Sequence, residues 1–261
     1  MENKLKVQDA HDQNRDVMYQ VSLLQSLTYG DYCGSVTVKE LKQHGDIGIG
    51  TFDKLNGELI MLDGEVYRAA GDGCVEIVSD DETIPFCVVT YMDFDETKNL
   101  KEVSDYGALC NKLDQMAEDK GANRFYMIRI DGLFREVNVR SVHAQEGPYK
   151  RLAEVMEHDQ TFFDYENIEG TLVGLYCPPY MASLNAVGWH LHFISKDKTK
   201  GGHLLGLNIV DAALIWDDTD GFQMLLPQNK KFDQFDFTVD QSEDIKRVET
   251  NKHNGNSYVG E

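Results

Sequence analysis

The chain carries the stretch GWHLHF at residues 188–193, and GGH follows at residues 201–203 after a polar segment. Successive side chains on a β-strand point to opposite faces, so His190 and His192 share one face of a predicted strand. A hairpin that turns between these two stretches would place His203 opposite His192, with their Cβ atoms about 5 Å apart. The sequence therefore predicts a β-hairpin on which three imidazoles converge.

Three imidazoles on one face of a hairpin can hold zinc or another divalent ion and leave coordination positions open for a substrate. The alternative is a hairpin whose histidines have only structural roles. The grouping of His190, His192 and His203 in this geometry favours the metal site.

Strand-like segments surround the hairpin on both sides. Residues 162–226 are almost entirely strand and turn patterns, which predicts an antiparallel sheet or barrel. Residues 18–160 mix strands with helical patterns and predict a mixed sheet with helices. We therefore expect an α+β protein of two packed β-rich subdomains, residues 18–160 and 161–249. A flexible arm (residues 1–17) is expected before them and a polar tail (residues 250–261) after them.

Helical periodicity is clearest over residues 104–120, where Leu109, Leu113 and Met116 fall on one face. Further helices are predicted over residues 18–30, 37–44, 148–157 and 242–249. The dipeptide Asp-Gly, typical of hairpin turns, occurs at residues 63–64 and 131–132. An antiparallel strand pair is therefore predicted around each of these two positions.

The bulk composition excludes several classes of partner. The 261 residues carry a formal net charge of −20, which argues against nucleic acid and against anionic membrane surfaces as partners. The same charge repels a small anionic substrate, so a local cation or a metal must supply the attraction.

Cysteine usage and the chain start bear on the compartment. The five cysteines are odd in number, widely spaced and without a CxxC pair, which is typical of reduced thiols in a cytoplasm. No signal peptide and no transmembrane run is predicted, because no apolar segment approaches about 20 residues. A secreted form whose leader has been removed is the alternative.

The sequence pattern alone does not single out a cation or a carboxylate for the predicted site. Arg135 and Arg140 lie on strand-like segments, where each is either a solvated surface residue or an anion ligand. Among 45 acidic residues none stands out by spacing, and Glu65 directly follows a predicted turn.

Short motifs spread over residues 18–249 resemble those of the α-acetolactate decarboxylases. They are YQVS (19–22), GSVT (34–37), ELKQHGD (40–46), GIGTF (48–52), LNGEL (55–59), DGEVY (63–67), RSV (140–142), GWHLHF (188–193) and GGH (201–203). The set is far more specific than an HxH pair alone.

The resemblance implies roles for particular residues. The family's zinc ligands match His190, His192 and His203, and its catalytic glutamate and arginine are matched to Glu65 of DGE and Arg140 of RSV. A further glutamate near the C-terminus is matched to Glu249. The family often has proline after RSV, whereas this chain has His143, which either lines the site or lies on the surface.

The resemblance also implies a homodimer of two β-rich subdomains with the metal between them. The expected reaction is the zinc-dependent decarboxylation of (S)-2-acetolactate, a small anionic 2-hydroxy-3-oxo acid, to (R)-acetoin and CO2 in acetoin biosynthesis, through a metal-stabilised enediolate. Arg140 would orient the carboxylate or the enediolate, and Glu65 or Glu249 would tune the metal or deliver the proton. No organic cofactor is needed, because the ketone β to the carboxylate accepts the electrons.

Two alternatives to this reaction remain. One is another cupin-like zinc or iron enzyme, and the other is a non-catalytic ligand-binding β-protein.

Overall fold

The computed structural model of the chain describes residues 15–249, the last of them without its side chain. Most of the predicted arm (residues 1–14) and the whole predicted tail (residues 250–261) lie outside the described residues. The strands are β1 Val17–Val21, β2 Val36–Thr37, β3 Ile47–Thr51, β4 Glu58–Leu62, β5 Glu65–Ala69, β6 Val75–Ile77, β7 Thr83–Ile84, β8 Phe86–Thr90, β9 Glu96–Val103, β10 Phe125–Val142, β11 Gln160–Cys177, β12 Gly188–Ser195, β13 Gly201–Thr219 and β14 Gly221–Leu225. The helices are α1 Leu24–Thr28, α2 Val38–Leu41, α3 Tyr106–Lys120, α4 Leu152–His158 and α5 Ser242–Glu249.

Two sheets organise these strands. The first is seven-stranded in the order β14-β1-β8-β3-β4-β5-β6, and it is mixed because β1 pairs in parallel with β14. The second is antiparallel in the order β10-β11-β12-β13-β9, and β10 also pairs with β13 so that four strands close on themselves. One buried apolar cluster contains side chains of both sheets, among them Ile60 and Val173. The predicted α+β class is confirmed.

The strands do not change sheet at residue 160. Residues 96–142 fall within the predicted N-terminal subdomain, but the two long strands formed there, β9 and β10, belong to the second sheet, and β14 returns to the first. Antiparallel pairing of β10 with β11 on one side and β13 on the other satisfies its backbone hydrogen bonds along its length. Chain order therefore does not decide sheet membership here, and the division into subdomains at residue 160 stays a prediction.

The two Asp-Gly dipeptides have different structures. Asp63 and Gly64 have φ of 53° and 77° and turn β4 into β5, as predicted. Asp131 and Gly132 lie inside the single strand β10, so the turn predicted there is wrong. A Cβ on Gly132 would lie 2.3 Å from the Cβ of Ala212, which shows how closely β13 packs against this point. Tertiary pairing therefore overrides the local turn preference.

Helices form where they were predicted except at the start of the chain, and α4 begins at Leu152 and not at the predicted residue 148. The predicted helix over residues 104–120 is α3, whose first turn is capped by the Asp105 side chain accepting from the Ala108 N–H. Residues 17–21 form β1 instead of the predicted helix, and only α1 follows it. The strand is buried on both faces, so its apolar residues do not alternate. None of the helices within residues 15–249 is long and apolar enough to span a membrane.

Candidate metal centre

The predicted hairpin is formed by β12 and β13, and its register places His192 opposite His203. The polar segment between the strands turns on the Asp197 side chain, which accepts from the Thr199 N–H and the Ser195 hydroxyl. His190 precedes His192 by two residues on the same buried face. The convergence predicted from the alternation is confirmed.

The three imidazoles approach each other closely. His190 Nε2 lies 3.1 Å from His192 Nε2 and 3.1 Å from His203 Nδ1. One ligand atom from each ring lies within 4.8 Å of the others, the grouping expected of a metal site. In a tetrahedral zinc site with bonds of about 2.0–2.1 Å the nitrogens would lie about 3.3 Å apart. The spacing of these nitrogens therefore fits a small divalent cation.

The protonation of the rings supports the same conclusion. His192 Nδ1 lies 2.9 Å from the carbonyl oxygen of Leu59, which can only accept, so the proton is on Nδ1. The Nε2 lone pair of His192 then faces His190 Nε2. Holding a ligating imidazole by its other nitrogen is the usual arrangement around protein-bound metals.

Burial keeps these imidazoles neutral. It lowers the pKa of His190 to about 3, and the positive charge of Arg140 acts in the same direction. Burial, followed by the field of His190, also lowers the pKa of His192 well below its usual range, despite the hydrogen bond to Leu59. Neutral imidazole is the form that ligates metals, so His190 and His192 are ready to bind one at pH 7.

Arg140 lies beside the cluster on β10, where its Cα pairs with His203. Its side chain is 2% exposed, and Nη1 lies 3.0 Å from Met156 Sδ and 3.4 Å from Gln160 Oε1. Gly202 makes this approach possible, because its φ is 150° and an added Cβ would lie 2.6 Å from the Arg140 carbonyl oxygen. The structure therefore brings Arg140 to the three histidines.

Glu65 is not brought to the cluster, and its predicted place in the site is corrected. It is exposed at the start of β5, opposite Leu62 at the turn end of the β4–β5 hairpin. Glu58 begins β4 at the other end, four residues or about 13 Å along the strand from Leu62. Its side chain is buried, and Glu58 Oε2 lies 3.6 Å from His192 Nε2.

Sequence reasoning missed Glu58 although a signal was present. It stands at the head of the run Glu58–Leu62, which is otherwise apolar and wholly buried. A carboxylate inside such a strand is costly unless it meets a cation or a donor, so its position indicates a function. The glutamate of the LNGEL motif, unlike that of the DGE motif, lies beside the histidine cluster.

Three other predicted candidates are placed as follows. Glu249 is the last residue of α5, and its side chain lies outside the described part of the structure. His143 is exposed, with Nε2 2.9 Å from the Thr161 hydroxyl, and it lies on the surface. Arg135 is exposed and pairs with Glu102 at 3.5 Å.

Known proteins resemble this chain over most of its length. Residues 18–239 match the family model described as Alpha-acetolactate decarboxylase. An alpha-acetolactate decarboxylase of Methanosarcina mazei is 40% identical over 243 residues, which cover 93% of this chain and 83% of that protein. One of Bacillus subtilis is 36% identical over 239 residues, 92% of each chain. The X-ray crystal structure of alpha-acetolactate decarboxylase from Bacillus subtilis strain 168 matches with a TM-score of 0.86 and 33% identity, covering 90% of this chain and 100% of that one.

Proposed function

Since the chain belongs to the alpha-acetolactate decarboxylase family, we propose that it converts (S)-2-acetolactate to (R)-acetoin and CO2 at its three-histidine centre. The observation that carries the proposal is the convergence of His190, His192 and His203 with Arg140 at their side. Together they offer a metal-binding donor set and a cation for a small anion.

We assign zinc to His190, His192 and His203. The support is chemical, because three imidazoles form a donor set that suits zinc and leaves a position for substrate oxygen atoms. A bound zinc ion supplies Lewis acidity that stabilises the negative charge left on the substrate when CO2 departs. Its place would be between the two sheets, because His192 hydrogen-bonds to Leu59 of the first sheet.

Arg140 binds the substrate anion in this proposal. The protein carries a net charge of −20, which repels an acetolactate anion, and a buried guanidinium beside the histidines opposes that repulsion locally. Its planar group can donate two parallel hydrogen bonds to a carboxylate, which also fixes the orientation of the bond that breaks.

Glu58 takes the proton-transfer role that the sequence had attached to Glu65. Its Oε2 lies 3.6 Å from His192 Nε2, so it faces the same space as the metal ligands. We propose that Glu58 delivers the proton to the carbon that has lost CO2, on one face only, which gives chiral acetoin. The ketone β to the carboxylate accepts the electron pair, so the residues need no organic cofactor.

Glu249 stays a candidate for a second carboxylate of the site. Its helix α5 is anchored by Ile245 and Val248, which are buried in the same apolar cluster as Met156 of α4. Met156 in turn contacts Arg140. This placement of α5 supports the assignment.

We also propose a cytoplasmic homodimer of two subdomains. The five widely spaced cysteines support a reducing compartment, and the dimer is what the family resemblance implies. Sedimentation equilibrium of the purified chain tests the dimer, and a mass of one chain at micromolar concentration would contradict it.

The activity is tested on purified protein supplied with racemic acetolactate. We expect acetoin and CO2 in equal amounts, enrichment of one acetoin enantiomer on a chiral column, and loss of activity on chelation that zinc restores. Bound zinc or iron without acetoin formation would indicate another metalloenzyme. If the protein holds no metal and forms no acetoin, a non-catalytic binding protein is indicated.

A further inference from the structure

Gln160 is the diagonal neighbour of Arg140 on the adjacent strand. In the β10–β11 register Val142 pairs with Gln160 and Arg140 pairs with Phe162, so Gln160 and Arg140 point to the same face. Gln160 Oε1 lies 3.4 Å from Arg140 Nη1. The proximity of the two side chains therefore follows from the strand register.

The orientation of the Gln160 amide is determined by its second contact. Its Nε2 donates to the carbonyl oxygen of Met156, which lies in the helix α4 that precedes β11. A carbonyl only accepts, so the NH2 group must face Met156 and the amide oxygen must face Arg140. The amide thus joins the last turn of α4 to the guanidinium.

Met156 completes the support. Its sulfur lies 3.0 Å from the same Arg140 Nη1, and its side chain is buried in the apolar cluster with Val155 and Leu152. Both contacts reach one guanidinium nitrogen from α4 and the start of β11. They fix the rotation of the planar group about its long side chain.

We propose that Gln160 is a positioning residue for the reaction, which holds the Arg140 guanidinium at the angle that meets the substrate carboxylate. This inference rests on the proposed function, because it takes Arg140 to bind the substrate anion. The two hydrogen bonds of the Gln160 amide go to Arg140 and to the Met156 carbonyl. Its effect therefore reaches the substrate through Arg140 and leaves metal binding intact.

The test replaces Gln160 by leucine, which keeps the volume and removes both amide contacts. Gln145→Leu is the matched control, because the Gln145 side-chain amide also donates to a backbone carbonyl, that of His143 at 3.0 Å. We expect Gln160→Leu to lower kcat/KM for acetolactate about ten- to hundredfold, since misplacing a binding group by about 1 Å has costs of that order. Zinc content should equal that of the wild type.

A double-mutant cycle separates positioning from a general structural role. In an Arg140→Lys background, Gln160→Leu should change kcat/KM by less than about twofold, because the guanidinium it positions is gone. Equal losses in both backgrounds would overturn the inference. So would a kcat/KM of Gln160→Leu that matches Gln145→Leu.

Calorimetric binding of 2-hydroxy-2-methylpropanoate tests the inference without turnover. This anion has the tertiary hydroxyl and the carboxylate of acetolactate, and we expect Gln160→Leu to raise its Kd about tenfold, close to the effect of Arg140→Lys. A Kd equal to that of the wild type would overturn the role of Gln160 even if acetoin is formed. A third outcome would overturn the proposed reaction alone. In it the wild type binds the anion, Gln160→Leu shows the expected loss of affinity, and no acetoin is formed.

Discussion

Glu58 and His192 face each other from different sheets, with Glu58 Oε2 3.6 Å from His192 Nε2. The pair joins the head of β4 to strand β12, which carries His190 and His192. A carboxylate at this distance can act on a substrate held by the histidines, whereas Glu65 at the far end of the same hairpin cannot.

We predict that Glu58→Gln lowers kcat about a hundredfold or more, the usual loss when a general acid is removed. The amide keeps the size of the side chain but cannot donate the proton that a carboxylic acid delivers. The measurement is acetoin formation under saturating acetolactate, with zinc content determined on the same sample. Glu65→Gln is the control and should retain near-normal kcat; a comparable loss in that variant would return the role to Glu65.

Removal of one metal ligand should empty the centre. We expect His192→Ala to lose most of its bound zinc, because only two imidazoles remain to hold it. The lost ring is the one whose Nδ1 proton is held by the Leu59 carbonyl. Metal analysis after gel filtration measures the loss. His143→Ala alters an exposed histidine and should keep full zinc content; unchanged zinc in His192→Ala would make the histidines structural.

Arg140→Lys should separate anion binding from metal binding. An ammonium group cannot donate the two parallel hydrogen bonds of a guanidinium, so we expect kcat/KM to fall tenfold or more, about 1.4 kcal/mol per tenfold, with zinc retained. Arg135→Lys changes an exposed arginine and should have no effect. Near-normal turnover in Arg140→Lys would refute the bidentate contact.

Asp217 gives a prediction about stability and pH. Its side chain is 1% exposed, and burial, with Asp95 and Asp93 nearby, raises its pKa to about 8. The folded protein thus holds this proton more tightly than the unfolded chain, whose carboxyl has a pKa near 4. The stabilising contribution of protonated Asp217 to the free energy of unfolding is fully present below about pH 4 and is lost as the pH rises to about 8.

Asp217→Asn stays neutral and should remove this loss. We expect the variant to melt at least about 2 °C above the wild type at pH 8.5, and the difference to shrink towards pH 4. Thermal unfolding at a series of pH values measures it. Asp211→Asn, an exposed aspartate on the same strand, should show no such trend; a pH-independent difference in Asp217→Asn would contradict the buried titration.

The hairpin could be predicted because its information is local. Alternation placed His190 and His192 on one face, and the length of the polar segment set the register with His203. The helix α3 could be predicted equally well, since its apolar stripe and the Asp105 cap both lie within one short stretch of sequence. Local periodicity and capping determine both elements, and no distant contact alters them.

Other features depend on distant contacts and could not be predicted. Asp63-Gly64 turns the chain, whereas Asp131-Gly132 continues a strand because β11 and β13 pair along both its sides. The strand β1 has apolar residues at helical spacing, but it lies between β8 and β14 and is buried on both faces. The same sequence signal therefore gives different structures in different surroundings.

The wrong glutamate shows the limit of matching motifs. Both Glu58 and Glu65 follow an Asn-Gly or Asp-Gly pair seven residues apart, at opposite ends of one hairpin. Motif matching alone gave no physical reason to prefer one. The burial of the whole of β4 supplies that reason, and the apolar run 59–62 that follows Glu58 is its sign in the sequence.

The residues that contact one another in the histidine cluster are separated by very different distances along the chain. His190 and His203 are 13 residues apart, a gap that one hairpin closes, whereas His192 and the Leu59 carbonyl are 133 residues apart. Short loops close more readily than long ones during folding. We therefore expect the three imidazoles to gather before the first sheet docks, so that a metal ion could be bound before Glu58 is in place. On that order of events, metal content would report formation of the hairpin, and turnover would report completion of the fold.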